Sequence, residues 1–164
     1  MAKKKKEKSS PEPGVKVIAR NKRASHRWAI EDTFEAGLEL LGTEVKSLRA
    51  GLLQLSDAYA AFEGEELFLY HLHIGAYPAA GPHLQHDPLR RRKLLLHRAQ
   101  LERLRGKLEQ RGYSLIPLEL RFRGPWAKVI VGLGRGKKQQ DRREDIRERE
   151  ADRDMARALR RDNR

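Results

Sequence analysis

The sequence predicts a mainly β protein: a small antiparallel barrel, closed or nearly closed, of about six short strands, with short peripheral helices and a charged C-terminal tail. Three observations carry that prediction. Ile116, Leu118, Leu120 and Phe122 alternate with Leu115, Pro117, Glu119 and Arg121, and after Gly124-Pro125 the alternation resumes at Ala127, Val129, Val131 and Leu133. Two half-buried strands joined by a tight turn have this pattern. Ala58 to Phe62 and Leu67 to Ile74 flank Glu63-Gly64-Glu65-Glu66, a second hairpin signature, with Phe68, Tyr70, Leu72 and Ile74 expected on one face. From Gly134 onward nearly every residue is charged, so almost nothing there can join a core.

Three segments follow: a flexible basic leader at 1–14, a barrel domain at 15–134 and a tail at 135–164. The leader holds Lys3 to Lys6, then Ser9, Ser10, Pro11 and Pro13. Arg20, Lys22, Arg23 and Arg27 precede the first expected strand. Trp28 to Phe34 and Leu38 to Leu41 predict a bent or bulged strand pair with Ala36-Gly37 at the bend. Gly42 to Gly51 places Val45 and Leu48 on one helical face and Lys46 and Arg49 on the adjacent one, which predicts one or two helical turns. Pro78 to Pro88 mixes prolines, glycine and histidines without a period, so it is expected to be an exposed loop. Asp87 as N-cap and Pro88 at the first helical position then give the strongest helix start in the chain. That helix is expected to run to about Arg111, stop at Gly112 and bury Leu94, Leu101, Leu104 and Leu108. Leu94, Leu95 and Leu96 cannot all face one core, which leaves one leucine for another surface or implies a break near His97. Pro117 puts its strand at an edge or on a bulge. Gly132, Gly134 and Gly136, ahead of Lys137 and Lys138, suggest a hinge with a basic flank; the spacing is not that of a phosphate-binding P-loop.

Composition narrows the function. Lys plus Arg number 36 against 23 Asp plus Glu, a net charge of +13, which favours a polyanionic partner. No apolar run approaches the roughly 20 residues of a membrane span, and no hydrophobic segment follows the lysine cluster. A cytoplasmic protein with no membrane partner is expected. The absence of cysteine excludes disulfides, thiolate metal sites and cysteine catalysis. His71 and His73 would share a strand face, and His83 and His86 sit in the proline loop, but a metal would need a third ligand brought near. No nucleophile motif occurs, so no catalytic, metal or cofactor site is expected. Basic clusters at Arg20 to Arg27, Lys46 with Arg49, and Arg90 to Lys93 are each ordinary as solvated faces. Converging on one surface they would make an RNA groove, with Trp28, Tyr59, Tyr70, Tyr77 and Trp126 available for stacking where they are not core.

In the tail, Arg142, Arg149, Arg153, Arg157, Arg160 and Arg164 recur at steps of three, four and seven, one stripe on a helical wheel. Asp141, Asp145, Glu148 and Asp152 take a neighbouring face. Pairs such as Asp145 with Arg149 support a helix by only about 0.2–0.5 kcal/mol each, so the helix is marginal alone. The plain reading is a solvated tail, and the sharper one is a helix that orders when its arginine face meets phosphates.

At these residues the chain resembles the small protein B (SmpB) family, the SsrA-binding proteins of bacterial trans-translation. Asn21-Lys22-Arg23-Ala24 with His26, Phe34-Glu35-Ala36-Gly37, and the block from Gly42 to Gly51 match the family signature. Asp87-Pro88, Arg92-Lys93-Leu94-Leu95-Leu96, and Gly136-Lys137-Lys138 with Asp141-Arg142-Arg143 continue it in order. The resemblance spans roughly residues 15 to 164. It implies an oligonucleotide-binding (OB)-like barrel that holds the tRNA-like domain of transfer-messenger RNA (tmRNA, SsrA RNA), and no enzymatic activity. Its implied tmRNA-binding positions are Glu35, Leu95 and His97, together with Asn21, Lys22, Arg23, His26, Lys46, Arg49, Arg92 and Lys93. Glu35 is expected to accept from a base or sugar hydroxyl, or to orient a neighbouring arginine.

The resemblance also implies a tail that is disordered when free and helical on a stalled 70S ribosome, against the 16S rRNA of the decoding centre and the empty mRNA channel. Its implied contacts are Gly136, Lys137, Lys138, Gln140, Asp141, Arg142, Arg143, Ile146, Arg149, Arg153 and Arg157. The elongation factor that carries aminoacylated tmRNA is an indirect partner. Gln140 and Ala151 depart from aromatic or histidine, and tryptophan, residues found in some members, so charge should outweigh stacking in this tail. Two rival readings remain at this point. A basic-barrel hydrolase or nuclease would need clustered carboxylates or histidines, and a generic RNA-binding protein would explain the charge but not the order of the motifs.

Overall fold

A closed ring of strands follows from two long partners that pair with almost everything else. The computed structural model describes residues 13–162, without the side chains at 139–142, 145 and 159–162. The lysine cluster of the leader lies outside the described residues. Strands β1 (Val15–Arg20), β2 (Trp28–Leu38), β3 (Leu53–Gln54), β4 (Tyr59–Glu63), β5 (Glu66–Tyr70), β6 (His73–Ile74), β7 (Arg92–Leu95), β8 (Tyr113–Arg123) and β9 (Trp126–Gly136) are joined by helices α1 (Ala24–Arg27), α2 (Gly42–Arg49), α3 (Arg98–Leu108) and α4 (Gln139–Asp162). The order β8-β4-β5-β7-β2-β9 closes on itself through β8–β9, a ring of six antiparallel strands, with β1 added along β8. This is a mainly β, OB-like barrel with short helices at its edges.

The inward faces of the ring meet in one core: Phe34, Ala36 and Leu38 from β2, Leu67 and Leu69 from β5, Leu115 and Leu120 from β8, and Val129, Val131 and Leu133 from β9. Leu48 of α2 and Leu104 of α3 are fully buried against the same core. Helix α2 ends as its glycine predicts. Gly51 adopts φ +76, its N–H donates to Leu48 O, and the Leu52 N–H donates to Ser47 O, the paired closure of a Schellman motif.

Several expectations are corrected. The helix foreseen from Asp87 is a turn: Asp87 Oδ1 accepts from the Leu89 N–H at 2.9 Å and Asp87 O from the Arg90 N–H at 3.2 Å. A capping carboxylate serves a tight turn as well as a helix, because both present the same unpaired N–H groups. Arg92–Leu95 is strand β7, and the helical stripe begins only after His97. The leucine run therefore obeys a period of two: Leu94 is 2% exposed and Leu95 50%. Strand β2 is one continuous element with its irregularity between Ile30 and Asp32, not a pair bent at Ala36-Gly37. Strand β1 and helix α1 were not foreseen; in Val15 to Arg20 the apolar Ile18 falls where alternation calls for a polar residue, and the register shifts there, between Val17 and Ala19.

The second hairpin has Gly64-Glu65 as its turn and the other face inward. Leu67 and Leu69 are buried while Phe68 and Tyr70 lie partly exposed. His71, at φ +56, interrupts the strand and resets the phase, so Leu72 and Ile74 face inward again. Pro117 sits at a bulge: the register shifts between Pro117 and Glu119 within a strand paired on both sides. The glycines expected to form a hinge are strand residues. A Cβ on Gly134 would lie 2.4 Å from Ala29 O and one on Gly132 2.8 Å from Leu118, so close packing of β2 and β8 on β9 requires them. His86, assigned to an exposed loop, is 6% exposed and bonds Thr43 Oγ1 at 2.9 Å and Ile74 O at 3.0 Å.

Beneath α2, Arg92 and Glu44 form a fully buried ion pair, Nε to Oε1 at 2.8 Å. Arg90 adds a second guanidinium to the same carboxylate at 2.7 Å, and the Leu41 N–H donates to it at 2.7 Å. Burial pushes the Glu44 carboxyl upward, but the bonds from Arg90 and Leu41 and the charge of Arg92 outweigh it and hold the group below the ordinary carboxylate range. A depressed folded-state pKa stabilises the fold above the ordinary value of about 4.3 and loses that contribution as pH falls through the lower folded value.

Two predictions follow from this packing. Leu94→Ala should cost about 2–5 kcal/mol in denaturant unfolding while Leu95→Ala costs well under about 1, the opposite of two equivalent helix positions. Glu44→Gln should lose about 3–5 kcal/mol near neutral pH. Its unfolding midpoint should also fall less than that of the unaltered chain as pH is lowered from about 5 to about 3.

Candidate RNA interface

The residues expected to contact RNA divide between two surfaces. One is the outer face of β2, β7, β8 and β9. Because Phe34, Ala36 and Leu38 point inward, Glu35 and Gly37 point outward, and Gly37 pairs with Leu95 of β7. Strand β7 ends at Leu95, and His97, two residues on, is the exposed N-cap of α3. A Cβ on Gly37 would stand 3.2 Å from Leu95 Cβ, so the glycine lets the exposed leucine lie flat on the sheet. Lys93 shares this outward phase and pairs with Glu66. The structure thus places Glu35, Lys93 and Leu95 on one outer face, with Leu95 nearest to Glu35 through its pairing with Gly37.

Sequence reasoning missed the cations that surround Glu35. Arg121 is ion-paired to it, Arg123 Nη1 lies 3.4 Å from its Oε1, and Lys128 contributes charge. Burial raises the Glu35 carboxyl, but the Arg121 hydrogen bond and the charges of Arg121, Arg123 and Lys128 prevail and hold it below the ordinary value. A carboxylate so held aims guanidinium groups along the sheet surface, and Arg121 keeps a buried Nε with no hydrogen-bond partner among the described residues. The signal was available in the sequence: Arg121 and Arg123 occupy the outward positions of β8, opposite the phase that buries Leu120 and Phe122. Arg49 reaches the same end of the barrel, its guanidinium 5.7 Å from the Phe122 ring, while Lys46 lies over Tyr77 at 5.5 Å.

Arg92 is corrected: its guanidinium is buried between Glu44 and the Leu72 and Pro88 carbonyls, so it positions β7 and offers nothing to a ligand. Asn21 is also largely occupied. Its Oδ1 accepts from the Arg23 and Ala24 N–H groups and its Nδ2 donates to Pro117 O, which fixes the start of α1.

The second surface lies around α1, at the far end of β2. Trp28 and Glu35 are seven residues apart on one strand, about 23 Å at the usual rise of about 3.3 Å. Lys22, Arg23 and His26 therefore belong with the tail, not with Glu35. The Lys137 N–H donates to Arg27 O at 2.9 Å and its Nζ to Ser25 O at 2.8 Å, which fastens the root of the tail to α1. Helix α4 continues from there for 24 residues, so Arg149, Arg153 and Arg157 share one face as their spacing predicts. Arg149 Nη1 stands 2.7 Å from the His26 ring nitrogens, and Arg157 pairs with Asp154 at 3.7 Å. Arg143, Ile146 and Arg153 are exposed, and Lys138 lies between Gly136 and the helix start. The side chains of Gln140, Asp141 and Arg142 lie outside the described residues.

Among the described residues no group of three or more histidines and carboxylates is placed to hold a metal, and no helix is long and apolar enough to cross a membrane. A small closed barrel with cations on one outer face, and a long helix with an arginine stripe rooted at one end behind Lys137 and Lys138, defines a nucleic-acid-binding barrel. The model of the SmpB protein family matches residues 18–161, and the chain belongs to that family. An SsrA-binding protein of Anaeromyxobacter dehalogenans is 56% identical over 149 residues, covering 91% of each chain. One from Myxococcus xanthus is 55% identical over 150 residues, 92% of each, and one from Microcystis aeruginosa 48% over 147, 90% of this chain and 96% of the relative. A solved chain described under "tmRNA-SmpB: a journey to the center of the bacterial ribosome" is 46% identical, with a TM-score of 0.63, over 80% of this chain and 94% of its own.

If the arginines set the ionisation of Glu35, a carboxyl-detected NMR titration should place its pKa below the ordinary glutamate value of about 4.3. In Arg121→Ala the value should rise while thermal unfolding stays cooperative, since the pair, 22% and 26% exposed, lies on the barrel's outer face and not in its core.

Proposed function

We propose that this chain is a non-enzymatic, cytoplasmic RNA-binding adaptor of trans-translation, which binds the tRNA-like domain of tmRNA and brings it to stalled ribosomes. The observation that carries the reading is its membership of a family whose relatives are SsrA-binding proteins, over nearly the whole chain. The separation of the two basic surfaces supports a division of labour. In this reading Glu35, with Arg121, Arg123, Lys128, Leu95 and His97, forms the tmRNA face. Leu95 packs on an unstacked base and His97 stacks or donates beside it, while the Glu35 carboxylate aims Arg121 and Arg123 at phosphate or sugar oxygens.

The α1 corner and α4 form the ribosomal surface. There Lys22, Arg23 and His26 extend the basic root made by Lys137, Lys138 and Arg143. The arginine stripe of α4 lies along rRNA phosphates of the decoding centre and vacant mRNA channel, so that the stalled peptide is tagged and the ribosome released. The elongation factor enters as the carrier of aminoacylated tmRNA. A helix with arginines at 149, 153 and 157 presents charge at a repeat of about 6 Å along one face, suited to a phosphate-lined groove.

A gel-shift comparison of the tRNA-like domain with an unrelated hairpin of equal length tests the specific reading. At matched salt the tRNA-like domain should bind at least about tenfold tighter, and equal affinity overturns it. Because β9 pairs to Gly136, truncation is best made after Lys138. The truncated chain should keep its affinity for the tRNA-like domain within about threefold and lose peptide tagging on stalled ribosomes. Arg149→Glu, Arg153→Glu and Arg157→Glu together should reproduce that loss, and simultaneous loss of RNA binding contradicts the division.

A further inference from the structure

Strands β4 and β8 are neighbours in the ring yet pair at a single position, Ala60 with Leu115. The splayed pair opens a groove of about 770 Å³ roofed by α1 and the end of α3. This volume lies within the usual range for small-ligand sites, and the groove is not on the Glu35 face. Two aromatic rings line it. Tyr59 is 40% exposed and stacks one face on Tyr70, with centroids 5.5 Å apart, and Trp28 is partly exposed. Arg23 and Arg27 line it as well, and neither guanidinium has a partner among the described residues. Asp57 and Glu109 supply two carboxylates, likewise without a partner among the described residues.

That combination is selective. Aromatic faces bind a flat ring, and free guanidiniums at the mouth bind the phosphates on either side of it. A carboxylate beside the stacking platform accepts from a ring that presents N–H donors on its edge. Guanine offers N1–H and an exocyclic amine there, whereas adenine presents an acceptor at N1 and is repelled. An apolar peptide would satisfy the rings but leave four charged groups desolvated and unpaired.

We infer that the groove between β4 and β8, which opens beside the α1 corner, is a further RNA site, which holds one unstacked guanine of a single-stranded segment. Trp28 and Tyr59 stack the base, Asp57 and Glu109 read its edge, and Arg23 and Arg27 hold the flanking phosphates. The inference rests on the reading of the chain as an RNA binder, but not on the tRNA-like domain occupying the Glu35 face.

The test uses the full chain carrying Trp126→Phe, which leaves Trp28 as the fluorescent reporter, titrated with the tetranucleotides UUGU and UUAU. UUGU should quench Trp28 and bind about tenfold tighter than UUAU. The double substitution Asp57→Asn with Glu109→Gln, both at exposed positions, should abolish that preference. Tyr59→Ala should weaken both tetranucleotides about tenfold. The inference is overturned by equal binding of the two, by a preference that survives the double substitution, or by quenching with an apolar peptide and not with RNA. Failure here with the tRNA-like domain still shifted removes the groove site alone. Failure of both in the unaltered chain removes the RNA-binding reading with it.

Discussion

The buried pair between Arg92 and Glu44 fixes the phase of the strand on which the proposed tmRNA face depends. An arginine can enter a core only where its charge and donors are met, and Glu44, with the Leu72 and Pro88 carbonyls, meets them. Once Arg92 points inward, a period of two sends Leu94 in and leaves Lys93 and Leu95 outside. A slip of one residue would take the Arg92 guanidinium away from Glu44 and from the Leu72 and Pro88 carbonyls, breaking a buried ion pair and its hydrogen bonds. The same carboxylate seats α2 across the end of the barrel. Thr43, through its bond to His86, ties the proline loop to that seat. The Gly42 to Gly51 block, which carries much of the family resemblance, is thus mainly a structural clamp.

Closure of the ring then separates the two basic surfaces. Strand β2 connects them, with α1 and the root of the tail at Trp28 and the arginine-ringed carboxylate near Glu35. Glycines at 132 and 134 let β9 lie close to β8 and β2, and β9 stays paired with β2 up to Gly136, the residue before Lys137. The tail therefore leaves from a fixed point, fastened by the two Lys137 bonds to α1. Under the proposed function, the Glu35 face and the arginine-striped helix, held at opposite ends of one strand, engage two RNAs at once without competing for the same residues.

The sequence revealed those parts of the fold whose signal is local. The β8–β9 hairpin, the Gly64 turn, the α2 segment with its closing glycine and the arginine stripe of the tail each follow from alternation, turn chemistry or a wheel. Strand β7 did not, because Asp87-Pro88 looks the same in a turn as at a helix start, and only the distant Glu44 decides which. The face of β5 was misread because His71 takes a left-handed conformation that no propensity predicts, shifting the phase partway along an apolar run. Of the candidate site, Glu35, Leu95 and His97 were visible only through the family resemblance. Arg121, Arg123 and Lys128 were visible as outward positions of predicted strands, but their convergence on Glu35 is a consequence of barrel closure. Arg92 was misjudged because a basic cluster does not reveal which of its members is buried.

Site-specific photocrosslinking addresses the central claim, that body and tail engage different RNAs, most directly. A crosslinking side chain is placed at position 95 in one preparation and at position 153 in another, and each is irradiated in a stalled-ribosome complex containing tmRNA. The account predicts adducts to the tRNA-like domain from position 95 and to 16S rRNA from position 153. Adducts from both positions to the same RNA, or the two targets exchanged, would contradict it.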